Sequence, residues 1–296
     1  MNGMGAHGGR RCIALVMQSL PNWPEALRRL GLADRLRMGL VGALTKRSCR
    51  KAALVFAQSR WMKGLLADRF GLTADRIRLA HPGTPPLPPG DDPAILSNFE
   101  TAPRDPRVLS VCSDAPHKNL GALAGVLQIV RKRGRAARLF ATIPVTSRFA
   151  AEDGVVEMGE LGRRQLGVAY ENVTVTVQAS LVECSGLVPA EAMSCGCAVI
   201  TPDRPWAREI CGDDGLYFDP MNSGSFAKVL ERFLRDEAVR DLLTWRCDGY
   251  GDLAPVSARY RALFTALLQD AKATTSPDSS TAGAGGTSGD AVGASP

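Results

Sequence analysis

An α/β protein built on a parallel sheet is predicted by three observations. Short apolar runs of strand type alternate with longer stretches of helical spacing along most of the chain. Residues 173–200 read strand, loop, helix, strand, which is a βαβ unit. The 296 residues are 45% hydrophobic and 22% charged, enough to bury substantial cores and long enough for one large or two smaller domains.

The βαβ stretch, VTVTVQASLVECSGLVPAEAMSCGCAVI, is the segment that specifies chemistry. Val173, Val175 and Val177 alternate with Thr174, Thr176 and Gln178, the pattern of a half-buried strand. A loop carrying Ser180, Glu183 and Gly186 follows. Pro189 then opens a helical run that Gly196 stops, and Cys197 to Ile200 begins another buried strand. Ligands of parallel sheets sit at the carboxyl ends of the strands, the edge to which Glu183 and Glu191 belong. This reading places Glu183 on the loop and Glu191 in the first helical turn, with unpaired backbone N–H groups between them that would face an anion. Hydroxyls for two carboxylates and a diphosphate for the helix end together suit a nucleotide sugar. The plainer alternative is a first-turn acid favoured by the helix dipole at Glu191 and a solvated loop charge at Glu183.

Glu183 to Gly196 reads ECSGLVPAEAMSCG. It resembles the donor site E-G-F-G-L-P-x-x-E-A-M-A-x-G of the retaining GT-B glycosyltransferases, glycosyltransferase family 4, also called the group 1 family. Cys184 stands where that family prefers Gly and Ser185 where it prefers an aromatic, and the proline is displaced by one to Pro189. The resemblance implies that Glu183 is placed against the donor sugar and Glu191 against the ribose, with Gly186 and Leu187 part of the donor site. It also implies a GT-B-like fold: a Rossmann-like C-terminal donor domain, 105–270, joined by a linker, 82–104, to a partial Rossmann-like N-terminal half, 1–81. By composition, residues 271–296 are expected to be a disordered tail.

In chain order, Met1 to Gly9 is glycine-rich and expected to be disordered. Arg11 to Met17 reads as a buried strand. Glu25 to Arg50 has helical spacing interrupted near Gly31 and Gly39, with Leu27, Leu30, Leu36, Leu40 and Leu44 among many arginines. Such a stretch can lie on anionic lipid or form a surface helix pair with solvated arginines. Ala52 to Ala57 is a second strand, Ser59 a helix cap, Trp61 to Phe70 the helix and Gly71 its end. Arg76 to Ala80 is a short strand running into His81-Pro82-Gly83, which resembles the family's P-N-G before the linker. His81 is either functional or a turn residue. The proline cluster Pro82 to Pro93 is stiff by composition.

Val108 to Cys112 opens the second half. Asn119 can cap a helix with apolar Leu120, Leu123, Val126, Leu127 and Val130, ending in basic residues at Gly134. Lys118 stands at that helix's positive end, unfavourable unless an anion is met there. Pro116-His117-Lys118-Asn119 matches the family's P-x-K-N, whose lysine meets the donor diphosphate; Cys112 and Ser113 occupy the region where many members carry an arginine. Arg138 to Ile143 is a strand, Leu161 to Tyr170 a helix, Trp206 to Ile210 a helical turn, and Leu216 to Phe218 a strand stopped by Asp219-Pro220. Helices are expected at 225–235, 237–246 and 256–269, before a low-complexity tail.

Residues 1–90 hold 15 Lys and Arg against 4 Asp and Glu, a net of +11, leaving −5 for the remainder of a chain whose total is +6. Nucleic acid is the weakest partner for that basic half: no zinc-finger spacing, no RNP-type string and only 6% aromatic residues. The eight cysteines include no CxxC, no apolar run suits a signal peptide or membrane span, and a reducing cytoplasm is the default, with peripheral attachment to the inner face of a membrane as the resemblance allows. The resemblance implies transfer of a hexose from a nucleoside diphosphate sugar, with retention, to a hydroxyl acceptor that is often lipid-linked, with no metal and no further cofactor. Lys118 and Glu183 would be catalytic; Lys118, Asn119, Glu183, Gly186, Leu187 and Glu191 would bind the donor. About 80 residues before the linker are short for a GT-B acceptor domain, so the expectation includes a misplaced gene start, or an inactive member that binds a nucleotide sugar or docks on a partner or membrane.

Overall fold

The computed structural model describes residues 13–17, 21, 23–28, 30–84, 87–88, 90–100, 106–134, 136–144, 147, 149 and 153–236. The expected helices at 237–246 and 256–269, the tail, and the glycine-rich start lie outside them. Two parallel sheets are formed among the described residues. The N-terminal sheet has the order β1-β2-β3, with β1 Ile13–Val16, β2 Leu54–Ala57 and β3 Ile77–Leu79. Helices α1 Pro24–Arg28 and α2 Leu32–Lys51 join β1 to β2, and α3 Arg60–Phe70 joins β2 to β3. The break expected near Gly31 is real; Gly39 lies inside α2, because an isolated glycine costs a helix only about 1 kcal/mol, less than its tertiary packing supplies. Helix α3 starts and stops where its chemistry says. The Ser59 hydroxyl accepts from the Met62 amide, and Gly71 takes the left-handed conformation, φ 64°, that only glycine adopts cheaply.

The C-terminal sheet is larger. Its six strands are β4 Arg107–Ser110, β5 Arg138–Ala141, β6 Val155–Glu157, β7 Val175–Val177, β8 Val199–Pro202 and β9 Leu216–Phe218, all parallel in the order β6-β5-β4-β7-β8-β9. Helices α5 Leu120–Lys132 and α9 Ser223–Arg235 cover one face, meeting Val108, Leu139, Val175, Val177 and Ile200. The other face, with Leu109, Phe140 and Val199, is covered by α4 Pro93–Glu100, α6 Arg163–Glu171, α7 Leu187–Ser194 and α8 Pro205–Cys211. Strands between two helix layers bury both sides. This corrects the half-buried reading of 173–177: Thr176 and Gln178 are as buried as Val175 and Val177, so the alternation does not report solvent. Strand β6 carries no such signal in the sequence and was not expected. Helix α4 falls within the stretch read as linker; its Ile95 and Phe99 insert into the C-terminal core, Phe99 edge-on to Phe140 at 4.8 Å between ring centroids.

The two sheets share an interface. Leu30 and Met38 pack with Leu181 and Val182. The amides of Arg60 and Trp61, which open α3, both donate at 2.7 Å to the carboxylate of Glu209 on α8, an anion at a helix's positive end contributed from the other unit.

Candidate functional site

In the C-terminal sheet the chain runs outward one way through β4, β5 and β6, and the other way through β7, β8 and β9. Strand order therefore reverses between β4 and β7, and the crevice beyond their carboxyl ends is where parallel sheets take ligands. The loops from these two strands carry Lys118 and Glu183, and the structure brings them together: Lys118 Nζ donates to Glu183 Oε1 at 2.6 Å, with side chains only 19% and 18% exposed.

Three local features hold that pair. A 3₁₀ turn, Pro116–Lys118, ends at Asn119, the one residue other than glycine with positive φ (55°) among the described residues, and α5 begins directly after it. Asn119 is buried at the helix boundary, but its side chain makes no cap bond: a capping side chain reaches the first-turn amides from extended backbone, and Asn119 is left-handed. The His117 carbonyl accepts from the Leu181 amide at 2.8 Å, tying the β4 loop to the β7 loop. Burial and the neighbouring Lys118 charge push the His117 imidazole pKa down, so it favours the neutral form.

Gln178, read in the sequence only as an outward-facing strand position, is the other anchor. Its amide donates to Glu183 Oε1 at 2.8 Å and to Ser180 Oγ at 2.9 Å. Both donors to Glu183 fall on Oε1, so Oε2 has no protein donor among the described residues and stands available to a ligand hydroxyl. The outward-pointing reading of Gln178 hid this role; only the burial of both sheet faces reveals it.

Gly186 precedes α7 with φ 59°, and a Cβ there would lie 2.9 Å from Ile210 Cγ1 and about as close as 3.5 Å to the Trp206 ring. Both facts require glycine. Helix α7 starts at Leu187, two residues before the predicted Pro189, which occupies its third position; proline is tolerated there because that N–H lacks an intrahelical acceptor in any case. Leu187 is 40% exposed. Cys184, where a glycine was expected by resemblance, has no positive φ and packs against the N-terminal core, while its carbonyl accepts from the Ser59 hydroxyl at 2.7 Å. The side chain is accommodated without backbone strain.

The earlier start of α7 moves Glu191 from the first helical turn into the second, correcting the sequence reading. There it is buried and does not join Lys118; its partner is Arg163 on α6, at 3.4 Å. Burial raises the Glu191 pKa, and Arg163 only partly offsets this. The Tyr170 hydroxyl, buried nearby, has no hydrogen-bond partner among the described residues, and burial and the adjacent Glu191 charge raise its pKa well above the usual value.

A cavity of about 450 Å³ opens beside Lys118, lined by Val111, Cys112 and Ser113 after β4, Thr142 and Pro144 after β5, and Glu160, Leu161 and Leu166 at the start of α6. Cys112 and Ser113, at the exit of β4, bring no positive charge to it. A second cavity of about 310 Å³ lies between the two units and includes His81 and Glu209. His81 Nδ1 accepts from the Gly83 amide at 3.1 Å, so it shapes the turn as well as bordering that cleft.

Residues 149–244 match the sequence pattern of the family described as glycosyl transferases group 1. No curated protein sequence matches the chain. Among solved structures, the fold is similar to sucrose-phosphate synthase of Thermosynechococcus elongatus, at 18% identity and TM-score 0.70, covering 88% of this chain and 68% of that one. It is similar to HepE of Anabaena in complex with UDP-glucose, at 16% identity and TM-score 0.68, covering 88% and 72%. It is also similar to WaaG, a glycosyltransferase involved in lipopolysaccharide biosynthesis, at 14% identity and TM-score 0.64, covering 86% and 75%. The fold is therefore the α/β, Rossmann-like arrangement of the GT-B glycosyltransferases.

Proposed function

We infer that this chain transfers a sugar from a nucleoside diphosphate sugar to a hydroxyl acceptor. One observation carries the reading: Lys118 and Glu183 meet at 2.6 Å across the point where strand order reverses, beside a cavity of about 450 Å³. The matched family segment spans both Glu183 and Glu191, and HepE, of similar fold, is known with UDP-glucose bound. In this reading Lys118 turns from Glu183 to the diphosphate. It acts with the Leu187 and Val188 amides, which open α7 and have no partner within the helix. Charge developing on the leaving diphosphate is the term such groups stabilise. Glu183 Oε2 accepts a sugar hydroxyl, Gln178 holds Oε1 in place, and Glu191 meets the ribose. Asn119, Gly186 and Leu187 shape the backbone around the donor. Positive charge comes from Lys118 and the helix entry, so no metal is assigned a role. The finer assignment, by resemblance, is a retaining family 4 enzyme that transfers a hexose.

The experiment is the release of nucleoside diphosphate from nucleotide sugars, with Glu183→Gln as control. Turnover that falls about a hundredfold in the variant is expected. Nucleotide binding without any turnover would favour the noncatalytic alternative, a nucleotide-sugar-binding protein.

A second reading concerns where the reaction takes place. Leu32, Leu36, Leu40 and Leu44 of α2 are 52–73% exposed and, at spacings of four, form a ridge along one side of the helix. Among the α2 residues Arg35, Arg37, Lys46, Arg47, Arg50 and Lys51 outnumber a single acid, Asp34. An apolar ridge flanked by cations suits an anionic lipid surface and hence a lipid-linked acceptor. No helix among the described residues is long and apolar enough to cross a membrane. Co-sedimentation with phosphatidylglycerol vesicles, weakened in Leu36→Glu, is the expected result; equal binding to neutral vesicles or none would refute it.

A further inference from the structure

The cavity beside Lys118 has a direction. Lys118 follows β4, whereas Glu160 follows β6, two strands away in the order β6-β5-β4. Two strand spacings are roughly 10 Å. The cation therefore marks one end of the cavity and Glu160 the other. Between them the walls are Val111, Cys112, Pro144, Leu161 and Leu166, apolar surfaces of the kind a flat ring packs against.

Most polar groups of the wall are already engaged. Thr142 Oγ1 accepts from the Cys112 amide at 2.9 Å and donates to the Cys112 carbonyl at 3.0 Å. Lys118 donates to Glu183. The Cys112 thiol lies 3.4 Å from the Ser110 hydroxyl, which donates to it. Two side-chain groups remain without a hydrogen bond or ion pair among the described residues: the Ser113 hydroxyl and the Glu160 carboxylate. A hydroxyl both donates and accepts, and so discriminates little. An ionised carboxylate only accepts, through two oxygens side by side.

We propose that Glu160 selects the base of the donor and that the base it selects is guanine. This rests on the reading of the cavity as the nucleotide end of the donor site. Guanine presents two adjacent donors, its N1–H and its 2-amino group, to which a carboxylate binds in bidentate fashion. Uracil presents one N–H between two carbonyl oxygens, which a carboxylate repels. Adenine and cytosine each set an amino group beside a ring nitrogen that accepts, so one carboxylate oxygen would face a lone pair. A mismatch of this kind leaves an acceptor opposed to an acceptor, and the discrimination comes from that as much as from the good pair. Glu160 is solvent-exposed, which moderates the effect to about tenfold, the low end for a bidentate base contact.

The test is calorimetric titration of the full chain with GDP, UDP, ADP and CDP, for wild type, Glu160→Gln and Lys118→Ala. GDP is expected to bind about tenfold more tightly than the other three. In Glu160→Gln the preference should vanish, because an amide offers one donor and one acceptor, while Lys118→Ala should weaken all four alike. Glu160 lies at the surface, and melting of the unliganded variant verifies its fold; Glu160→Ala gives an independent removal of the charge. UDP or ADP binding wild type as tightly as GDP, or a GDP preference that survives in Glu160→Gln, would overturn the proposal while leaving the nucleotide site intact. If none of the four binds to wild type, the reading of the cavity as a nucleotide site fails and the base assignment falls with it.

Discussion

Glu183 and Glu191 stand eight positions apart in one motif, yet the fold treats them oppositely. Glu183 lies on a loop, and one of its oxygens receives both the Lys118 ammonium and the Gln178 amide at 2.6 and 2.8 Å. Glu191 lies inside a helix with a single charged contact, Arg163, at 3.4 Å, and its burial pushes the carboxyl toward the protonated form. The first charge is compensated by its surroundings, the second only in part. A charge held without full compensation lowers stability, and such a cost persists where a ligand later meets the group. The contrast therefore separates a carboxylate compensated by two donors from one held against its own burial.

Removing Glu183 gives the largest expected effect. Glu183→Ala leaves the Lys118 ammonium nearly buried and unpaired, a change that costs about 3 kcal/mol, the lower end for a broken buried pair because the site keeps some solvent contact. Urea unfolding measures it. The double variant Lys118→Met/Glu183→Ala should regain much of that loss, giving a coupling of about 2 kcal/mol; additive losses would show that the pair is not coupled.

Gly186→Ala disturbs the backbone between the two carboxylates. A left-handed alanine costs about 1 kcal/mol, and crowding against Ile210 adds about 1 kcal/mol or more. A loss of about 2 kcal/mol in unfolding free energy is expected. An unchanged midpoint would mean that the helix entry relaxes freely.

The smallest effect has the opposite sign. The folded pKa of Glu191 is raised, so the folded state binds more protons than the unfolded one above the ordinary value of 4.5, and the protonated group's stabilisation is lost as pH rises through the folded pKa. Glu191→Gln, which cannot ionise, should melt slightly higher than wild type at pH 7. The gain should shrink as pH falls toward 4.5. Melting curves across that range verify it, and a loss of stability at pH 7 would show that the Arg163 contact outweighs burial. The same variant should bind nucleotide more weakly if the carboxylate meets the ribose.

Much of this arrangement was legible in the residues. Ser59 and Gly71 delimited α3 because cap chemistry is local, and the flanking of Lys118 by proline and a helix start marked it as a cation at the wrong helix end. Three things were not legible. The depth of β7 depends on helices far along the chain covering both sheet faces, so Gln178 read as solvent-facing when it is the anchor of Glu183. The start of α7 was read from Pro189 as a first-position proline, when Gly186 in a left-handed conformation begins the helix two residues sooner. Glu209, which receives the α3 amides from the other unit, lies about 150 positions from its partners in sequence, and no spacing rule reaches that far.

The central claim is that Lys118 and Glu183, meeting where strand order reverses, form the heart of a donor site. A crystal structure of the full chain grown with a nucleoside diphosphate tests it most directly. The account predicts the diphosphate within hydrogen-bond distance of Lys118 Nζ, about 3 Å, with the ammonium turned from Glu183 and the base toward Glu160 and Leu161. A nucleotide bound elsewhere, with the Lys118–Glu183 bond still closed at 2.6 Å, would contradict it.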